Sequence, residues 1–139
     1  MTVTDASVWV SRFLIGDVFH EASRDWLQKT VSEGFALICP TSMLAEVAGA
    51  VARRTGSTQL GYHVVRQIRQ VPSLQLVSIT PEVGELAAEI ASTYRLRGGD
   101  ALYVAVAYQF QMPLVSWDEE QLSRVAGYIE TSRPDTLEH

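Results

Sequence analysis

The sequence predicts an α/β fold: a three-layer α/β/α sandwich around a short parallel sheet of four to five strands. Three observations carry this. Short apolar runs alternate with segments of helical periodicity along the whole chain. Strands separated by helices pair in parallel, and their right-handed crossovers put helices on both faces of the sheet. The length of 139 residues, with no internal repeat or linker-like stretch, fits one domain with one core. That domain is expected over residues 1–136, and the last three residues, 137–139, resemble a C-terminal tag remnant.

The elements follow in order. Val3 heads a very short strand ending at Asp5, and Ala6, Trp9, Val10, Phe13 and Leu14 then recur at helical spacing. A second helix runs from about His20 to Ser32, with Ala22, Trp26, Leu27 and Val31 on one side. Phe35 to Cys39 is a brief apolar run stopped by Pro40, which reads as a buried strand. Thr41 or Ser42 is expected to cap a helix whose inner face is Met43, Leu44, Val47, Ala48 and Val51. After Gly56, Ser57 caps another helix, with Leu60, Val64, Ile68 and Val71 one turn apart, ended by Pro72. Leu74 to Ile79 reads as the third strand. Thr80-Pro81-Glu82 then supplies a cap, a proline where no N–H is needed, and an acid in the first turn. Gly98-Gly99 is expected to break the chain before a helix from Ala101 to Phe110, apolar nearly all round and therefore buried. Leu114-Val115-Ser116 is the fourth strand, a short helix covers about Glu119 to Val125, and Tyr128-Ile129-Glu130 is the candidate fifth strand.

Composition bounds the function. Hydrophobic residues make up 47% and charged residues 19%, which excludes a disordered or collagen-like chain. The single cysteine, Cys39, excludes an internal disulfide framework and a thiolate metal cage, and reads as a buried apolar residue. No apolar stretch is long enough to span a membrane, and the first residues lack a signal-peptide pattern, so the cytoplasm is the expected location. The net charge of −5 argues against a strongly basic nucleic-acid binder, but not against a phosphate-bearing substrate held by cations or a local basic patch. Lys29 is the only lysine among 11 basic residues, so lysine chemistry has one candidate.

The carboxylates carry the functional signal. Asp5 follows the first strand and Asp118 the fourth, at the carboxyl edge where sites of such sheets form. Asp100 opens the buried helix, near its positive end. Glu46 lies about one turn into its helix, off the apolar stripe, beside the small residues Gly49 and Ala50. Each acid alone has an ordinary reading as a cap, a turn residue or a solvated side chain. Together they converge on one edge. Crowded carboxylates raise one another's pKa values, and a divalent cation removes that penalty. Oxygen-only ligands point to magnesium or manganese rather than zinc. Four acids with no basic nucleophile suggest metal-assisted hydrolysis of a phosphodiester.

At these residues the chain resembles the PIN-domain ribonucleases, and among them the VapC-type toxins of bacterial toxin–antitoxin pairs. The matching pieces are Val3-Thr4-Asp5-Ala6-Ser7, Leu44-Ala45-Glu46-Val47, Gly99-Asp100 through Ala107, and Val115-Ser116-Trp117-Asp118. The resemblance implies a PIN-like fold and carries the family's acidic quartet onto Asp5, Glu46, Asp100 and Asp118 as catalytic and metal-binding residues. It places Ser7 as the hydroxyl residue that holds a metal-bound water or Asp5 itself, with Ser116 and Glu119 in supporting positions. It also implies a magnesium- or manganese-dependent endoribonuclease, a homodimer, an RNA substrate and a small antitoxin partner. Trp117 departs from the small or polar residue usual there, and Glu119 or Glu120 is close enough in sequence to share the role of Asp118.

Other residues are candidates of a second rank. Arg53 lies two turns after Glu46 on the same helical side, where it either holds a phosphate or is solvated. Arg95 and Arg97 precede the Gly-Gly-Asp segment and are candidate RNA guides. Trp9, Phe13 and Trp26 have core spacing, with a groove for an antitoxin helix as the alternative. Two rival functions remain. A receiver-like phosphoacceptor domain needs an Asp after the third strand and a late lysine; Thr80-Pro81 and Lys29 supply neither. A PIN-like binding module without turnover is the nearer rival, and the intact quartet argues against it.

Overall fold

The computed structural model describes residues 1–136, so the expected tag remnant lies outside the described residues. The chain runs β1 (Thr2–Thr4), α1 (Ala6–Phe13), α2 (His20–Ser32), β2 (Leu37–Pro40), α3 (Ser42–Thr55), α4 (Thr58–Arg69), β3 (Leu74–Val77), α5 (Pro81–Tyr94), α6 (Gly98–Phe110), β4 (Leu114–Val115), α7 (Glu119–Val125) and β5 (Thr131–Ser132). The strands form one all-parallel sheet in the order β3-β2-β1-β4-β5. Helices α1 to α4 pack among themselves, while α5 packs on α6 and α6 lies across β1, β2 and β4. With right-handed crossovers this is the expected three-layer sandwich.

The first strand is central because every one of its residues, Thr2, Val3 and Thr4, is buried and β-branched. Thr4 satisfies its hydroxyl inside the core: it accepts from the Trp9 indole at 2.9 Å and lies 3.1 Å from the Cys39 thiol. The chain leaves β1 toward β2 and β3 on one side, then returns through α5 and α6 to β4 on the other. The direction of strand order therefore reverses between β1 and β4, and a crevice forms outside their carboxyl ends. In register, Thr4 lies opposite Val115, so Asp5 and Ser116 emerge side by side from that crevice.

Helix α6 forms the floor. Ala101 and Tyr103 through Ala107 are all buried, as an all-round apolar helix requires. Ser57 and Thr80 cap α4 and α5 through hydroxyls that accept from Leu60 N at 3.1 Å and Val83 N at 3.2 Å. Gly56, with φ of 72°, ends α3 in the left-handed conformation that glycine adopts without a Cβ clash.

Several expectations shift. The second strand is Leu37–Pro40, so Phe35 and Ala36 lie outside it and Pro40 within it, and the fourth ends at Val115 without Ser116. The third strand ends at Val77, not Ile79. The fifth strand is Thr131–Ser132, not Tyr128 to Glu130, because Tyr128 stacks on Tyr108 with centroids 4.7 Å apart and its segment turns. Neither Thr41 nor Ser42 caps α3: Thr41 is already in the helical region with no side-chain cap bond. Gly98 and Gly99 do not break the chain but open α6, which makes Asp100 a first-turn residue and not a cap. No described helix is long and apolar enough to cross a membrane.

Candidate active site

Asp5 is built into the crevice from both sides. Its backbone ends β1 and its side chain caps α1, accepting from Ser7 N at 3.1 Å. Its Oδ1 also accepts from the Ser7 hydroxyl at 2.5 Å, and its Oδ2 from the Ser116 hydroxyl at 2.5 Å. Both hydroxyls are oriented in turn by backbone donors: Trp117 N donates to Ser7 Oγ at 3.0 Å and Asp118 N to Ser116 Oγ at 2.9 Å. Asp5 is only 4% exposed. Burial pushes its carboxyl up to about 6, with the nearby Asp100 charge adding to the rise, although the Ser116 and Ser7 hydrogen bonds favour the charged form.

The other three acids approach from three different elements. Glu46 enters from α3, and burial followed by the Asp100 and Asp5 charges raises its pKa. Asp100 enters from the first turn of α6, raised by burial and then by Asp118, and opposed by the Arg97 guanidinium. Asp118 caps α7, accepting from Gln121 N at 3.1 Å. The structure thus brings Asp5, Glu46, Asp100 and Asp118 into one electrostatically linked group with Asp100 touching the field of all the others. Asp5 and Asp118 are helix caps as well, so the ordinary reading of each holds alongside its place in the group.

The donor set is all oxygen, which suits a hard divalent cation. Glu46 Oε1 is buried with no hydrogen-bond partner, and Asp100 and Asp5 both add like charge around it. Both observations fit a cation. The acids are not packed into a closed cage: among the described residues no group of three or more His, Cys, Asp or Glu is arranged to hold an ion as it stands. The donor set fits such an ion in its chemistry.

The candidate helpers divide. Ser7 and Ser116 belong to the Asp5 frame. Glu119 does not join the acids; it pairs with Arg133, and Glu120 pairs with Arg124. Arg97 stands beside Asp100, whereas Arg95 is a left-handed helix cap, φ 61°, whose guanidinium turns back to the Ser92 carbonyl. Arg53 is exposed on α3, its guanidinium folded over Gly49, where a Cβ would stand 3.0 Å from Nη1. Arg95, Arg97, Asp100, Asp118, Glu120 and Arg124 line a cleft of about 250 Å³ that is shared by acids and arginines. A wider cleft of about 600 Å³ lies at the opposite sheet edge, around Tyr108, Met112 and Tyr128, and contains none of the acids.

Sequence reasoning missed three contributors. Arg124 donates to the Arg95 carbonyl at 2.6 Å and so ties α7 to the α5–α6 turn. Tyr103 lies fully buried beside Glu46. Trp117 turns its ring away from the acids: it stacks on Phe19, 4.1 Å between centroids and 6° between planes, and its indole donates to Ser23 at 2.7 Å. Its backbone serves the site while its ring locks α2 to the end of β4. Only Trp117 carried a sequence signal, its bulk at a position flanked by small polar residues.

Three solved structures share the fold. Mycobacterium tuberculosis VapC20, described as a sarcin–ricin loop cleaving toxin, is 20% identical with a TM-score of 0.77, covering 94% of this chain and 98% of that one. A toxin–antitoxin complex from Klebsiella pneumoniae is 17% identical with a TM-score of 0.68 over 96% of this chain and 98% of that one. FitAcB from Neisseria gonorrhoeae is 16% identical with a TM-score of 0.73 over 99% and 100%. No curated protein matches the sequence. The PIN domain family matches residues 2–128, nearly the whole chain, and with the parallel sheet and the acids at its carboxyl edge this makes the chain a member of the PIN domain family.

Proposed function

We propose that this protein is a magnesium- or manganese-dependent endoribonuclease, the toxin of a toxin–antitoxin pair, acting in the cytoplasm as a homodimer held in check by a cognate antitoxin. The observation that carries the reading is the linked set of Asp5, Glu46, Asp100 and Asp118 at the β1/β4 crevice of a PIN domain. Membership in a family that includes toxin nucleases and the toxin–antitoxin likenesses support the substrate class and the partner.

In this reading Asp5, Glu46, Asp100 and Asp118 hold the cation. A divalent ion there supplies activation of water and compensation of charge at the scissile phosphate. The chain's own residues do the rest. Ser7 and Ser116 fix both oxygens of Asp5, so its carboxylate is preorganised. Arg97, with Arg95 and Arg124 in the same cleft, draws the RNA backbone toward Asp100 and Asp118. Arg53 extends the same role along α3. An apolar groove of about 470 Å³, lined by Trp9, Phe13, Leu27, Val31, Val71 and Pro72, is the place we assign to the antitoxin.

The test is cleavage of a panel of structured RNAs, a sarcin–ricin hairpin included, by the wild type and by Asp5→Asn. Cleavage that needs magnesium or manganese, stops with chelator and is lost in Asp5→Asn supports the reading. RNA binding without any cleavage would move the chain to the rival class, a PIN-domain binding module.

A further inference from the structure

Tyr103 is a large polar side chain in the middle of an otherwise apolar helix face, and it is completely buried. Its hydroxyl has no hydrogen-bond partner. A buried hydroxyl without a partner is a net loss to stability, so a phenylalanine there would cost the fold less. Three ionisable groups lie near enough to act on this hydroxyl through their charge: Glu46, Asp5 and Cys39. Two of them are already engaged. Both Asp5 oxygens accept from Ser7 and Ser116, and the Cys39 thiol lies against the Thr4 hydroxyl and carbonyl at 3.1 and 3.2 Å. Glu46 Oε1 is the third, and it too is buried and unpartnered. One orphaned donor therefore stands beside one orphaned acceptor. The hydroxyl is near enough to favour the charged form of Glu46, although the two atoms do not meet hydrogen-bond geometry. Gly99, one turn before Tyr103 on the same face of α6, leaves room beside the carboxylate: a Cβ there would stand 3.2 Å from Oε1.

We propose that Tyr103 is the positioning residue of Glu46, its hydroxyl donating to Oε1 and so presenting the other oxygen to the cation site. This rests on the metal-dependent reading above and adds to it a residue that acts through Glu46 without touching substrate or ion. A neutral phenol suits the task. Burial and the neighbouring Glu46 and Asp5 charges push its own ionisation up, so it donates a proton without adding a charge. The small residue at Gly99 leaves Glu46 room to settle between donor and cation.

The experiment is a double-mutant cycle of Tyr103→Phe and Glu46→Ala on the full chain, read in two ways. Urea unfolding without metal reports the Tyr103–Glu46 contact itself. Titration with manganese, free ion followed by electron paramagnetic resonance, reports its consequence. Tyr103→Phe should weaken manganese binding roughly tenfold when Glu46 is present, the scale of lost outer-shell partners, and leave it unchanged in the Glu46→Ala background. Equal losses in both backgrounds, or none in either, would overturn the proposal, since a merely structural tyrosine gives the first and an idle one the second. The urea cycle separates the two claims. Energetic coupling in a protein that binds no manganese upholds the Tyr103–Glu46 pair and sinks the metal reading, whereas absence of coupling sinks the pair whatever the metal does.

Discussion

At the scale of single residues, Asp5 concentrates the tension in this molecule. It is buried beside other carboxylates, and its pKa of about 6 stands above the ordinary 3.8. A carboxylate whose folded pKa is raised stabilises the fold fully below its unfolded pKa, and that contribution is lost as pH rises through the folded value. Metal-free protein should therefore lose about 3 kcal/mol from this residue between about pH 3 and pH 7, at roughly 1.4 kcal/mol per pKa unit. Urea unfolding across that range checks it, and the slope should be shallower in Asp5→Asn, where only the raised Glu46 and Asp100 carboxyls still contribute. On the proposed reading, the same substitution keeps the shape and one oxygen but removes a charge that would balance a cation. Metal-free melting of Asp5→Asn at pH 7 should be level with the wild type or higher. Its RNA cleavage should fall by orders of magnitude, because a contribution of several kcal/mol to the transition state is gone. Magnesium should raise the melting temperature of the wild type more than that of the variant. An Asp5→Asn protein that melts lower at every pH and gains equally from magnesium would contradict this account.

At the scale of elements, the site hangs on joints between segments distant in sequence. Trp117 is one: its ring and indole N–H fasten the end of β4 to α2 while its backbone N–H holds Ser7. Trp117→Ala should cost about 3–5 kcal/mol in urea unfolding, the usual range for emptying a large aromatic site. Trp117→Phe should cost less, since the stack on Phe19 survives and only the bond to Ser23 is lost. Arg124 is another joint, anchoring the left-handed Arg95 that precedes Asp100. These joints explain what the sequence hid. Asp5 and Asp118 were legible because strand ends and helix starts are local patterns. Asp100 and Glu46 were legible from helix periodicity and from the short segments that match the PIN family. The partners of Trp117, Tyr103 and Arg124 are set by which helices meet, and no window of neighbouring residues encodes that. The displaced fifth strand has the same origin: Tyr128 and Ile129 are apolar for a ring stack and a buried turn, not for a ladder.

At the scale of the whole molecule, the parallel order β3-β2-β1-β4-β5 leaves β3 at an edge, only partly buried. Helices α4 and α5 precede and follow β3, and α4 exposes Tyr62. An uncovered edge invites pairing, so a two-fold dimer built on this side is the expected assembly. Sedimentation at micromolar concentration should show twice the monomer mass, and Tyr62→Glu should shift the population toward monomer. The fold itself was almost fully legible, because alternation of strand and helix fixes parallel pairing before any contact is known. The order of the strands has one more consequence, and it concerns time. β1 is made first but sits in the middle, and the hydroxyl that completes the Asp5 frame comes from Ser116, 111 residues later. On a ribosome adding roughly 5–20 residues per second, the nascent chain spends most of its synthesis without a completed carboxylate site.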